Sequence, residues 1–424
     1  MANGSRDPGS GSIDAMRPRT TSKLYMLAAR AWLTLAALSL LLPEADRIGV
    51  WLPLHLALAG AVSTAISGAM QNFVLALTAS PAPPEPVVVA QFVLVTAGAA
   101  VIALERILGH ELGVALGGML FLLGMALLGW IVLRARRRSL HKRHALPLTM
   151  YAAAIVAILV GGTFGAVVGG GAVEGETWLG LRQAHMTVNV LGWVSLTIAG
   201  TLVTFLPTVL RIRMPTWHGW ATVGLLVGGL AAIATGIAIR IEPLAGLGGV
   251  TYAAGALGVA WLVVKVMRTP RTWPVPIAAK HLLLAIAWFE VGALALAVAL
   301  VRGLDAFAAF REPFLAIFGL GWAIQTLLGA WLYLLPMARP GHPDDRRRQL
   351  SAIELGGVVQ ILALNAGVLL LALAGAGWVS GTVGAIGAGL ALGGGGLALL
   401  KAWTFAGLAR LPVLTRRHLD VWGA

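Results

Sequence analysis

The 424-residue chain contains no cysteine, and only 11% of its residues are Asp, Glu, Lys or Arg. The first absence excludes disulfides, thiolate metal sites, iron–sulfur clusters and covalently attached c-type haem. It leaves open haem or copper held by His, Met or carboxylate. The second excludes an ordinary soluble protein, in which about 25% of residues are charged and about 45–50% apolar. Here 58% are hydrophobic and the mean hydropathy is +0.85. That is the composition of a polytopic membrane protein. At about 20 apolar residues per span, the length accommodates about a dozen helices and no sizeable soluble domain. The preponderance of Arg over Lys, with abundant Ala, Gly and Leu, fits a high-GC bacterial genome.

The expected fold class is all-α, with twelve spans at about 24–43, 49–78, 85–105, 110–133, 146–170, 180–210, 219–240, 244–267, 281–302, 308–338, 351–377 and 380–408. Residues 1–22 are polar and small and are expected to form a disordered cytoplasmic tail. Residues 23–410 form the membrane domain, and 411–424 a basic cytoplasmic tail. No cleavable signal peptide is expected, because the first apolar run is long enough to span and lacks a small-residue cleavage site.

The net charge of +14 resembles a nucleic-acid signal only until the charges are placed. With the N-terminus inside, cytoplasmic segments hold 23 of the 31 Lys and Arg, among them the run Arg134, Arg136, Arg137 and Arg138. The outer side holds six: Arg47, Arg106, Arg182, Arg240, Arg302 and Arg311. Arg30 and Lys401 fall within spans. Cytoplasmic excess of this kind sets topology, so both termini are expected inside. The basic residues face anionic lipid rather than nucleic acid, and the lipid bilayer is the expected partner.

Ionisable groups inside a membrane are costly and mark function by default. His55, His185 and Glu312 lie near the outer ends of the second, sixth and tenth spans, each about 6–8 Å below the boundary at 1.5 Å per residue. His110, with Glu111, opens the fourth span on the same side. A spacing of four spans suggests three four-helix units about a pseudo-threefold axis, although no residue-level repeat accompanies it. Asn189 and Gly192 share the helix face of His185 by spacing. Asn189 is placed to orient the imidazole, and Gly192 to leave room for a flat group. The competing reading of each histidine is a ring bonded to a neighbouring helix carbonyl. Glu290 sits in the middle of the ninth span, as a proton-relay group or a structural acid. Gln71, Asn72, Gln325, Gln360 and Asn365 read as interhelical hydrogen-bonding residues. His281 reads as interfacial, and His141, His144, His218, His342 and His418 as solvated. Trp51, Trp178, Trp217, Trp220, Trp273, Trp378 and Trp422 read as an interfacial belt. Gly161, Gly165 and Gly169, and also Gly389 and Gly393, read as helix-packing positions.

Three stretches carry a resemblance: WLPLHLALAGAVSTAISGAMQNFVLAL, AHMTVNVLGWVSLTIAGTLVTFLPTVLRIRMP and FREPFLAIFGLGWAIQTLLGAWLYLLP. They resemble segments of an actinobacterial family of twelve-helix membrane proteins. Some members of that family are fused to a multicopper oxidase or nitrite-reductase-like domain. The family is similar to subunit I of the haem-copper oxidase superfamily and to membrane proteins of nitric-oxide metabolism. The resemblance spans about residues 50–370. It implies that His55 matches a haem-ligand histidine of the second helix, and that His185 matches a redox-metal ligand segment of the sixth.

The departures matter. His185-Met186-Thr187 stands where related stretches read His-x-His, the tenth span has no histidine, and the seventh has no His pair. A complete binuclear oxygen-reducing centre is therefore not expected. Nothing after residue 410 is long enough for a cupredoxin domain. The expectation is a haem b or copper site held by His55 and His185. Asn189 lies beside it, His110 and Glu312 are further metal-ligand candidates, and Glu290 is a proton-relay candidate. The setting is a bacterial cytoplasmic membrane, with a periplasmic redox partner and electron transfer or nitric-oxide chemistry. Two other readings stand beside it: a secondary transporter, and a scaffold or assembly partner without cofactor.

Overall fold

The computed structural model describes residues 18–139, 144–272, 274–337 and 343–404. The basic tail 411–424, most of the N-terminal tail, and His141, His342, His418, Trp273 and Trp422 lie outside the described residues. Every regular element among those described is helical. Eleven helices are long and apolar enough to cross a membrane, which makes the chain an all-α, multi-pass membrane protein in a lipid bilayer.

Twelve helices carry the architecture. They are α1 (Pro18–Ser39), α2 (Trp51–Thr78), α3 (Glu85–Leu108), α4 (Glu111–Arg137), α5 (Ala145–Gly169) and α6 (Gly175–Val209). The second half comprises α7 (Trp220–Ala238), α8 (Glu242–Arg268), α9 (Ile277–Val301), α10 (Arg311–Met337), α11 (Gly357–Gly375) and α12 (Gly381–Trp403). A short helix, Leu304–Ala309, precedes α10, and another, Pro343–Glu354, precedes α11. Helix α1 begins inside the expected tail. It is not among the eleven, since Lys23 and Arg30 lower its apolarity.

Arg30 is buried. Its Nη1 donates to the Ala402 carbonyl at 2.9 Å, and its guanidinium lies 4.8 Å from the Trp403 ring centre. Lys401 donates to the Ile353 carbonyl at 2.9 Å. Arg30 thus ties the first helix to the last, and Lys401 ties the last to the short helix Pro343–Glu354, both through backbone acceptors.

Helix association in lipid depends on close packing and interhelical hydrogen bonds rather than on a hydrophobic drive. Small residues supply the first: a Cβ on Gly236 would collide with the backbone of Ala245, so α7 and α8 cross at contact distance. Between α3 and α4 the chain reverses at Gly109, whose φ of +77° favours a residue without a Cβ. Gly389 and Gly393 do not pack in this bundle as expected. Nothing lies within 4 Å of a Cβ built on either, so both face away from it.

Three helices form the centre. In α2, α6 and α10 the most apolar stretch is 61%, 89% and 78% buried, against 28–50% in the other eight spans. The same three contain π-helical segments: Leu56–Val62, Val188–Val194 and Leu315–Ile324. Each begins within three residues of His55, His185 or Glu312. Ser63 and Ser195 follow the first two segments, and each donates its hydroxyl to the carbonyl five residues back, Leu58 and Val190. Trp193 of α6 donates to Ser63 Oγ of α2 at 3.0 Å, and Trp322 of α10 donates to Ser195 Oγ of α6 at 2.9 Å. The recurrence every four helices therefore has a residue-level mark. Gly60-Ala61-Val62-Ser63 and Gly192-Trp193-Val194-Ser195 occupy matching places, and Gly321-Trp322 opens the third.

Candidate functional site

A cavity of about 1160 Å³ runs from the outer loops at Glu44, Ile48 and Glu174 down to Ser63, Trp193 and Val194. It is slightly larger than the ~300–1,000 Å³ usual for small-molecule and cofactor sites. Its walls come mainly from α2, α4, α5 and α6, with Arg311, Glu312 and Leu315 from α10. His55, His185 and Asn189 line it.

The two imidazoles meet across this space. Their ring centres are 6.3 Å apart and their planes differ by 8°. His55 Nδ1 lies 2.9 Å from the Trp51 carbonyl one turn earlier, and the Trp51 indole stacks on the ring with centres 4.0 Å apart. His185 Nδ1 lies 2.8 Å from the Gly161 carbonyl of α5, and the Asn189 side-chain amide lies 3.1 Å from the same nitrogen. A carbonyl only accepts, so His55 Nδ1 carries the hydrogen and its Nε2 keeps the lone pair; His185 Nδ1 faces both the Gly161 carbonyl and the Asn189 Nδ2 donor. Neither Nε2 has a hydrogen-bond partner among the described residues. The plainer reading of a carbonyl-bonded histidine thus accounts for one nitrogen of each ring and leaves the other over. This is the division found in metal-binding histidines, where a backbone carbonyl commonly fixes the tautomer.

Helix α5 makes the room. A Cβ on Gly165 would overlap the His185 ring, and one on Gly161 would overlap the Asn189 amide. The glycine spacing that reads as bundle packing is, at these two positions, the seat of the polar side chains. Trp51 and Trp178, expected in the interfacial belt, also line the cavity.

Gly192 is not part of the site. The π segment from Val188 widens the helical turn, so the 3.6-residue spacing fails beyond it. Gly192 instead packs against Ala157 and Leu230. His110 does not line the cavity: its Nδ1 is 2.9 Å from a Glu105 carboxylate oxygen at an exposed position. Glu312 lines the cavity but is paired with Arg311 at 2.9 Å. Among the described residues no three His, Cys, Asp or Glu side chains are grouped to hold a metal ion, so the four metal-ligand candidates do not form one cluster.

The remaining buried polar residues divide. Gln71 Nε2 donates to Tyr25 Oη and to Gln91 Oε1, both at 3.1 Å, linking α1, α2 and α3. Trp288 donates to Asn365 at 2.7 Å, whereas Asn72 donates only to the Gly68 carbonyl of its own helix. Gln325 has no partner for either end of its amide among the described residues. His281, expected at the interface, is fully buried, because α9 starts four residues earlier at Ile277. Its Nε2 accepts from Gln360 Nε2 at 2.7 Å. Both carboxyl oxygens of Glu290 are buried, with no side-chain hydrogen-bond partner among the described residues.

Neither a protein-family model nor a curated protein matches the chain.

Proposed function

We propose that the cavity between α2, α5 and α6 holds a haem b, with His55 and His185 as its two protein ligands. The observation that carries this reading is the paired imidazole geometry: near-parallel rings 6.3 Å apart, each with Nδ1 bound to a backbone carbonyl. Donor count favours haem over a copper ion. A bare ion needs further ligands, and no third His, Cys, Asp or Glu joins the pair among the described residues. A tetrapyrrole brings four nitrogens of its own and needs two from the protein.

Such a group supplies one-electron chemistry, in exchange with a periplasmic redox partner or with nitric oxide. The chain's own part is to hold and tune. The Trp51 carbonyl fixes the His55 tautomer, the Gly161 carbonyl and Asn189 hold the His185 ring, and Gly165 admits it. The apolar walls at Leu54, Leu58, Phe121 and Ile158 lower the local dielectric, which tunes a bound group's potential. The single donor pair argues against a complete binuclear oxidase site. The resemblance to haem-copper oxidase relatives and a bacterial cytoplasmic membrane location belong to the same proposal.

Optical spectra of the purified full-length protein, oxidised and then reduced, test it together with elemental analysis. The expected result is a Soret band with about one iron per chain. Absence of both a Soret band and stoichiometric iron overturns the haem assignment. Stoichiometric copper in their place transfers the site to the metal ion.

One observation favours a second reading. The buried carboxyl of Glu290 in mid-membrane, without a side-chain partner among the described residues, suits a proton-coupled carrier. Proton flux in proteoliposomes that disappears in Glu290→Gln supports that reading, and unchanged flux removes it.

A further inference from the structure

We infer that residues 43–50, the turn between α1 and α2, form a gate at the outer mouth of the cavity. The gate is strained when shut, as in this structure, and relaxes when it opens to admit a guest. The inference rests on the backbone of the turn and holds whatever the cavity binds.

A positive φ is uncommon, and eleven of the described residues adopt one. Four of them, Ile48, Gly49, Gly171 and Gly175, line this one cavity, in the turns between α1 and α2 and between α5 and α6. The three glycines have no Cβ and take that conformation freely. Ile48 does not. At its φ of +54° a Cβ crowds the backbone, and a β-branched side chain there is a genuine outlier. Gly49 follows at φ +62°, so two left-handed residues adjoin, which happens nowhere else among the described residues. Strain of this kind persists only where the surroundings hold it.

What holds it here is a set of hydrogen bonds within the turn. Gly49 N donates to the Glu44 carbonyl at 2.9 Å, and Arg47 Nη1 donates to the Gly49 carbonyl. The Ile48 carbonyl accepts from Trp51 N at 3.1 Å, and the Arg47 carbonyl accepts from Leu52 N at 3.2 Å. The last two bonds join the turn to the first residues of α2, where the Trp51 indole stacks on His55. Packing adds little. Glu44, Ala45 and Asp46 are exposed, and nothing lies within 4 Å of a Cβ built on Gly49. The turn is thus held shut by its own bonds, against its own strain, with space to move into. Its opening widens the mouth beside His55 and exchanges the guest with the outer aqueous phase.

The chain has no cysteine, so an introduced thiol reports without background. Ala59, four residues after His55, lines the cavity. Full-length Ala59→Cys protein, produced under haem limitation, is reacted in detergent with a water-soluble maleimide, alone and with either of two changes in the turn. Ile48→Asn places a residue that tolerates the left-handed region at the strained position. It stabilises the shut form and is expected to slow labelling about tenfold. Gly49→Val adds a β-branched residue at φ +62° without a collision, and is expected to speed labelling about tenfold. Each factor corresponds to the left-handed penalty of one residue. Misfolding speeds labelling and so cannot produce the slower arm. A thiol at the exposed position 378, Trp378→Cys, is expected to react at one rate in all three backgrounds. Any pattern at Ala59→Cys other than opposite shifts overturns the gate. The readout involves no iron, so its failure leaves the haem reading standing, and loss of the haem reading leaves the gate.

Discussion

Two seams of the molecule are built on the same backbone device and have opposite contents. In the α5–α6 seam a π segment lies just below His185, two glycines face it, and a cavity remains. In the α9–α10 seam a π segment lies just below Glu312 and glycines again face across, but aromatic rings fill the space. Phe318 occupies the notch at Gly292, and Trp288 the notch at Gly321. Phe289 stacks on Trp322 with ring centres 4.7 Å apart, and Phe314 lies 4.7 Å from Phe318. The two seams share a π segment and facing glycines, and side-chain volume decides which one stays open.

The comparison is most sharply broken at the histidines. His55→Ala and His185→Ala are each expected to abolish the Soret absorbance of purified protein. His110→Ala and His218→Ala, with side chains outside the cavity lining, leave it at wild-type level. Equal retention in all four variants would falsify the assignment of the pair.

Filling the open seam as the other is filled comes next. Gly165→Leu places a side chain where the His185 ring stands and is expected to eliminate bound haem. It also costs about 1–3 kcal/mol in thermal unfolding, the range for overpacking a close-packed interior. Gly393→Leu, facing away from the bundle, is the control, with haem content and melting temperature unchanged. A Gly165→Leu protein that keeps its haem would show that the seam does not need the notch.

Smaller effects separate frame from site. Trp193→Phe and Trp322→Phe remove the indole donors to Ser63 and Ser195. Each is expected to cost about 0.6 kcal/mol, the average for interhelical hydrogen bonds in a membrane, read by denaturant unfolding in detergent. Trp193 lines the cavity and Trp322 does not, so only Trp193→Phe is expected to shift the reduction potential. Glu290→Gln is expected to leave the optical spectrum unchanged, since Glu290 lies outside the cavity lining. A shifted spectrum would join it to the site.

Hydropathy carried most of the fold, because lipid leaves the backbone few alternatives to helix, and eleven of the twelve spans meet it plainly. Arg30 in α1 is the exception, a cation that the sequence places in lipid and the structure places on the Ala402 carbonyl. The cavity-lining residues were legible as two histidines at matched depth and an asparagine on the helix face of the second. Depth alone also brought in His110, which is turned to Glu105 instead, since depth does not fix azimuth. The π segments escaped notice because an i−5 hydrogen bond has no compositional signature. The Gly-x-x-Ser pair at Gly60 and Gly192 was their available trace. Gly161 and Gly165 were hidden by their ordinariness, as the same spacing at Gly389 and Gly393 faces away from the bundle.

Near-infrared magnetic circular dichroism of the oxidised protein tests most directly whether both imidazoles bind one iron, because the charge-transfer band reports the axial ligand pair. The account predicts the bis-imidazole band position in the wild type and its loss in both His55→Ala and His185→Ala. A wild-type band from a single imidazole with a different second ligand, or no charge-transfer band at all, would contradict it.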